Sequence, residues 1–323
     1  MIFEKQIQKM YQKQVFKRND DTGCVFYFSA KDFGGLMQEP YSFTSKAGNR
    51  LQGYFYHYEN TISDRIIIFE HGMGGGHRSY MKEIERIARE GYLVFAYDHT
   101  GCMESEGETT NGFAQSLSDL DDCIRTLKAD DRWSEEKISV IGHSWGGYAT
   151  LNIPALHPDV THIVAISGFL SVEQMLRQTF RGWKKFYFDA VFAVEASTNP
   201  DFVHYNARET FKNMTTKAFV IHSADDQLVK AGDHFALLRQ DMIGQEENKT
   251  FVLTDLKGHN PNFTEDAVKY KDEFFAELTR KLKKKQLTTD EEKKAFLASY
   301  DWNRMTAQDE AVWDKIFAFL GDK

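Results

Sequence analysis

Ile141-Gly142-His143-Ser144-Trp145-Gly146-Gly147 decides how this chain is read. It joins a short apolar run, Ile138 to Ile141, to a helix pattern rich in small residues, Ser144 to Leu156. Gly-x-Ser-x-Gly between a strand and a helix is the setting of a sharp turn that lifts the serine hydroxyl above a sheet. Such a turn is strained, and Gly142 and Gly146 leave the room it needs to close. The helix start behind Ser144 puts the positive end of a dipole where negative charge would gather. The plainer alternative is a tight glycine turn with an inert serine. The rest of the chain decides between them.

Outward from this turn, strand and helix patterns alternate. Upstream, Tyr41 to Glu59 reads as a hairpin about Lys46-Ala47-Gly48-Asn49, whose Gly and Asn suit a tight turn. Arg65 to Glu70 and Tyr92 to Tyr97 are short apolar runs that read as buried strands. Arg78 to Glu90 and Phe113 to Ala129 carry helical spacing. Downstream come strand patterns at Ile163–Ile166, Ala218–Ile221 and Thr250–Leu253, and helix patterns at Gly232–Met242 and Glu265–Leu282. This alternation predicts an α/β fold with a mostly parallel central sheet and helices on both faces. In such sheets chemistry collects at the carboxyl ends of strands, so each candidate residue should follow a strand.

The stretch 169–210 breaks the rhythm. It has no strand pattern and is rich in bulky residues, among them Phe169, Met175, Phe180, Trp183, Phe186, Phe188 and Phe192. Its position predicts a helical cap whose side chains line a pocket. The expected organisation is an N-terminal extension of unassigned purpose (1–40), a core (41–168 and 211–285), the cap (169–210) and a helical tail (286–323). In the tail, Val312, Trp313, Ile316, Phe317 and Leu320 are spaced as an amphipathic face, which we assign to docking or oligomer contacts.

Composition narrows the partners. Forty basic and 48 acidic residues give a net charge of −8, against a nucleic-acid role. The one dense basic run, Arg280 to Lys285, reads as a solvated helix end. Cys24, Cys102 and Cys123 are odd in number and form no Cys-x-x-Cys pair, so neither a disulfide framework nor a zinc site is expected. The first ten residues lack the apolar run of a signal peptide, and no stretch approaches the ~18 apolar residues that cross a bilayer. The expectation is a reduced, cytoplasmic protein without stable membrane insertion.

With Gly-His-Ser-x-Gly-Gly at its turn, the chain resembles the α/β-hydrolase superfamily, especially its capped esterase and monoacylglycerol-lipase-like branch, over roughly Tyr41 to Leu282. The resemblance implies an α/β-hydrolase fold with an inserted helical cap and a serine nucleophile at Ser144. It implies an oxyanion loop in His71-Gly72-Met73-Gly74, with the backbone N–H groups of Met73 and Trp145 as donors. The family's acid lies three residues before a valine, which selects Asp226 in Asp225-Asp226-Gln227-Leu228-Val229, with Asp225 the neighbouring alternative. Its base follows a late strand in a Gly-His turn, here Gly258-His259. Asp226 lies 82 residues after Ser144, and His259 a further 33. The order serine, acid, histidine is the one this fold uses. His222 and His234 are assigned to packing or the surface, His143 to packing behind the turn, and Asp98 to a structural turn.

The expected reaction is hydrolysis of a small apolar carboxylic ester through an acyl-enzyme on Ser144, with no cofactor and no metal. Amide, thioester or peptide hydrolysis by the same triad is the alternative, as is a non-hydrolytic binding member of the fold. A homo-oligomer is left open.

Overall fold

The structure, a computed structural model, describes residues 2–61 and 65–321. In chain order the elements are α1 (Ile2–Val15), β1 (Met37–Thr44), β2 (Arg50–His57), β3 (Arg65–Glu70), α2 (Met81–Arg89), β4 (Leu93–Tyr97), α3 (Gln115–Ala129), β5 (Lys137–His143) and α4 (Trp145–Asn152). Then follow β6 (His162–Ile166), α5 (Val172–Thr179), α6 (Phe188–Thr198), α7 (Ala207–Asn213), β7 (Lys217–Ser223), α8 (Phe235–Asp241), β8 (Lys249–Thr254), α9 (Glu265–Lys283), α10 (Asp290–Ala298), α11 (Trp302–Met305) and α12 (Glu310–Gly321).

One eight-stranded sheet runs β1-β2-β4-β3-β5-β6-β7-β8. The hairpin β1–β2 and the β2–β4 pair are antiparallel, and every later pair is parallel. The hairpin turns through Gly48, whose φ of 87° lies in the left-handed region that glycine enters without a Cβ penalty. Successive side chains of the central strands enter opposite cores, as a pleated strand requires. Ile66, Ile68, Val140 and Ile163 face one layer, with α3 and α4; Ile67, Phe69, Ile141 and Val164 face the other, with α2. Both faces are covered, so β3 is buried along its whole length.

The tail decides between docking and oligomer contacts in favour of docking on its own core. Val312, Trp313, Ile316 and Leu320 of α12 are buried in the second core, against the sheet and beside α2. The apolar stripe is therefore used within the chain, and that face is closed to a partner. The tail also braces the loop after β8: Lys257 pairs with Asp309, the Thr264 amide donates to Ala307 O at 3.0 Å, and the Asp309 amide donates to Asn262 O at 2.8 Å.

The N-terminal extension straps the insertion. Helix α1 packs on α6, with Gln8 Nε2 donating to Ala190 O at 3.1 Å and the Tyr11 hydroxyl donating to the Glu195 carboxylate. Arg18 then holds the loop after β4 through the carbonyls of Met103, Ser105 and Gly107. Within 169–210, Phe169, Leu170, Leu176 and Val191 are core, but Trp183 and Phe186 are 68% and 78% exposed. No helix among the described residues is long and apolar enough to cross a membrane.

Glu195 makes the strap sensitive to pH. Burial raises its carboxyl from the ordinary 4.5 to about 7, against the opposing hydrogen bonds from Tyr11 and the Phe113 amide. The folded form then holds this proton more tightly than the unfolded chain. Its contribution to stability accordingly falls as pH rises from about 4.5 to about 7, by about 3 kcal/mol in all, and levels off above. Glu195→Gln removes this titration. In thermal melts the variant should gain several degrees on the wild type between pH 5 and pH 8; parallel curves would refute the assignment.

Candidate active site

The turn between β5 and α4 is as tight as its glycines suggest. Ser144 sits at φ 57°, ψ −109°, outside the ordinary wells for a residue with a side chain. A Cβ on Gly142 would lie 2.2 Å from Thr150 Oγ1, and one on Gly146 would lie 2.2 Å from the backbone oxygen of Glu70. The second clash is with main chain at the end of β3 and has no flexible neighbour to yield. Gly146→Ala should therefore destabilise the fold by about 2–3 kcal/mol, read as an earlier chemical-denaturation midpoint.

Three side chains converge here from three strand ends. Ser144 Oγ lies 2.8 Å from His259 Nε2, and His259 Nδ1 lies 2.7 Å from Asp226 Oδ2. The carboxylate only accepts, so Nδ1 carries the proton and Nε2 is left to accept from the serine hydroxyl. Ser144 and His259 are half-buried, whereas Asp226 is buried. Burial alone would raise the Asp226 pKa. Hydrogen bonds from His222, His259 and the Val229 amide outweigh it and hold the carboxyl well below the usual carboxylate range. Its other oxygen, Oδ1, accepts the amides of Leu228 and Val229 at 2.8 and 3.0 Å.

Asp225, the neighbouring alternative, does something else. Its Oδ1 accepts the Gly258 amide at 3.0 Å and the Lys257 amide at 3.3 Å, tying down the turn that carries His259. His222 does more than pack. It is buried, but its Nε2 lies 2.7 Å from Val229 O and 3.3 Å from Asp226 Oδ2, so it also steadies the carboxylate. Its position four residues before Asp226 at a strand end was the available signal.

A second hydrogen-bond chain links the glycine loop, the turn and the histidine loop. The Gly72 amide donates to Tyr80 Oη at 3.0 Å, and Tyr80 Oη lies 2.8 Å from His143 Nδ1. His143 Nε2 lies 2.7 Å from His259 O. A carbonyl only accepts, so His143 carries its proton on Nε2, and Tyr80 donates to Nδ1. Burial lowers the His143 pKa well below its usual value, which keeps the ring neutral and this polarity fixed. Nothing in the sequence pointed to Tyr80, which reads as one more residue of the helix's apolar face.

Met73 follows Gly72 on the loop after β3 and is half-buried. Trp145 opens α4, so its backbone N–H has no intrahelical acceptor. The Trp145 indole is fixed by donating to Phe113 O at 2.6 Å and by the His99 ring, 4.8 Å between centroids. Beneath it, buried His99 lies 3.3 Å from Glu70 and 3.4 Å from Asp119. Asp98 accepts both the His77 amide and His77 Nδ1 at 2.8 Å, bracing the end of the glycine loop. His234 is buried, with Nδ1 accepting the Leu170 amide at 3.3 Å. Among the described residues, no group of three or more His, Cys, Asp or Glu side chains is arranged to hold a metal ion.

Known proteins share this architecture. The profile of the family described as serine aminopeptidase, S33, matches residues 61–204, which include the glycine loop and Ser144. Monoglyceride lipase from Rattus norvegicus is 30% identical over 113 residues, 34% of this chain and 35% of that protein. The uncharacterized protein YfhR from Escherichia coli K12 is 27% identical over 118 residues, 36% of this chain and 41% of that protein. The chain thus spans little more than a third of the length of these curated relatives. Among solved structures, the Pyrococcus furiosus esterase Pf2001 superposes with a TM-score of 0.58 at 19% identity, covering 83% of this chain and 98% of that one. The Pyrococcus horikoshii acylaminoacyl peptidase gives a TM-score of 0.54 at 15% identity, over 71% of this chain and 38% of that one.

Proposed function

We propose that this chain, an α/β-hydrolase by its fold, is a serine hydrolase that cleaves small apolar carboxylic esters through an acyl-enzyme on Ser144. The observation that carries the proposal is the unbroken chain from Ser144 Oγ through His259 to Asp226, at 2.8 and 2.7 Å. In this reading His259 Nε2 takes the serine proton as Oγ attacks the ester carbonyl. The amides of Met73 and Trp145 hold the oxygen as it becomes negative, and Asp226 stabilises the imidazolium. His259 then returns the proton to the leaving alkoxide. Water, activated by the same nitrogen, releases the acid and restores the serine.

An apolar substrate is supported by half-buried Met73, Phe113, Phe180, Phe188 and Phe192, which pack on the core yet keep surface open. Ester over amide has the likeness to monoglyceride lipase behind it. Amide or peptide cleavage by the same triad is the second reading, favoured by the description of the matching family profile. Rates on p-nitrophenyl butyrate and on alanine p-nitroanilide, measured with purified protein, separate them: the proposal expects the ester to be cleaved much faster. A cytoplasmic setting belongs to the same proposal, supported by three buried, unpaired cysteines.

Tyr80 serves this reaction as a positioning residue. Tyr80→Phe leaves the Gly72 amide and His143 Nδ1 without their partner, at about 1–3 kcal/mol for each group. We expect kcat to fall by roughly tenfold or more, with KM changed much less, because the hydrogen bonds it makes hold the backbone donors and the base. A change in KM alone would remove Tyr80 from this role.

A further inference from the structure

A cavity of about 230 Å³ lies between the glycine loop, the N-terminal segment and the C-terminal tail. Gly72 to Gly75 and Tyr80 border it on one side, and Phe26, Phe263, Phe275, Trp302 and Met305 supply its apolar walls. Ser144 is not among its lining residues, and the insertion 169–210 contributes none. Lys271 is the single charged side chain that lines it. Its Nζ donates to Asn260 Oδ1 at 2.9 Å and stands 4.9 Å from the centre of the Phe263 ring. No carboxylate of the described residues pairs with it at ion-pair distance. An ammonium carries three donors, so this one keeps capacity for an acceptor that the chain does not provide. Desolvation lowers its pKa; buried Glu83, whose carboxylate is bonded to Asn262 at 3.2 Å, and Asp272 oppose this only through space.

We infer that this cavity is a binding site for a small monocarboxylate with an apolar body, its carboxylate on Lys271 and its body against Trp302 and Phe275. A cation with no carboxylate at ion-pair distance leaves room for a single negative charge, and aromatic walls call for carbon rather than a polyol. The volume admits a short-chain acid. The cavity holds about eight liquid-water volumes of roughly 30 Å³ each, room for an acid near hexanoate. The walls are preset: the Trp302 indole donates to Leu297 O at 2.9 Å and packs on Phe26 and Phe274, with centroids 5.6 and 5.0 Å away. The site shares Gly72 and Tyr80 with the hydrogen-bond chain behind the glycine loop, so its occupant contacts the groups that hold that loop. The inference does not rest on the proposed reaction, since binding here involves neither Ser144 nor His259.

Calorimetric titration of the full chain with hexanoate, to about 10 mM, tests it. A ligand of this size is expected to bind one equivalent with Kd near about 1 mM. Lys271→Met should weaken binding by about tenfold or more, Lys271→Arg should retain it, and hexanol should bind about tenfold more weakly than hexanoate to the wild type. Trp302→Phe should remove most of the fluorescence change that hexanoate causes. The inference is overturned if hexanoate shows no saturable binding, if hexanol or inorganic phosphate binds as well as hexanoate, or if a folded Lys271→Met protein binds it unchanged. Should that variant not fold, the hexanoate, hexanol and phosphate comparison on the wild type still decides.

Discussion

Ser144→Ala is expected to lower kcat on p-nitrophenyl butyrate by roughly 10⁶-fold while leaving the thermal midpoint within a few degrees of the wild type. The reason is local. The hydroxyl is the atom that would bond to the acyl carbon, and a methyl has no lone pair to offer. The backbone at φ 57° is equally unfavourable for serine and alanine, so the substitution relieves no strain and adds none. His259→Ala should cost a similar factor, and the double variant little more than either alone, because base and nucleophile act as one unit. Steady-state kinetics on the two single variants and the double variant would show this. Additive losses would mean that the two residues do not share a step.

The next largest effect is expected from Asp226→Asn, a fall in kcat of about 10⁴-fold. The mechanism is a change of tautomer. Asp226 accepts from His259 Nδ1, and an amide nitrogen in that place would donate instead, moving the ring proton to Nε2, where it faces the serine. Asp225→Asn is the control, because an asparagine oxygen still accepts the Gly258 and Lys257 amides; its loss should stay under about tenfold. Reversed sensitivities would make Asp225 the orienting acid. The pH dependence carries the same information. Asp226 is held well below the usual carboxylate range, so it stays ionised throughout the neutral region, and protonation of this acid should not limit activity there.

The parts legible from sequence were those fixed by local patterns. Arg65 to Glu70 is a strand with the bounds its apolar run suggests, because Ile66 to Phe69 are continuously apolar and the charged Arg65 and Glu70 mark the two ends. The glycines about Ser144 foretold a turn too tight for side chains. Asp226 and His259 stand out in the sequence because each follows a strand and matches the pattern of the family the chain resembles, and the folded chain brings both to Ser144. What stayed hidden was what depends on long-range contact. Periodicity announced that one face of α12 would be buried, but it could not say that the covering surface was the chain's own sheet. Tyr11 meets a carboxylate 184 positions away, so nothing near it announced the strap. Tyr80 and Lys271 look ordinary in their helices; only the folded chain brings one to His143 and the other to the edge of a cavity. Trp183 and Phe186 misled in the opposite direction, since bulky residues suggested a pocket lining and these two face solvent.

The proposed reaction requires that His259 and Asp226 make one hydroxyl, that of Ser144, nucleophilic. Incubation with a fluorophosphonate followed by peptide mass spectrometry addresses it without knowledge of the natural substrate. The expected result is a single adduct on Ser144, with labelling slowed by orders of magnitude in His259→Ala. An adduct elsewhere, no adduct on a folded protein that hydrolyses esters, or labelling of Ser144 indifferent to the loss of His259 would contradict it.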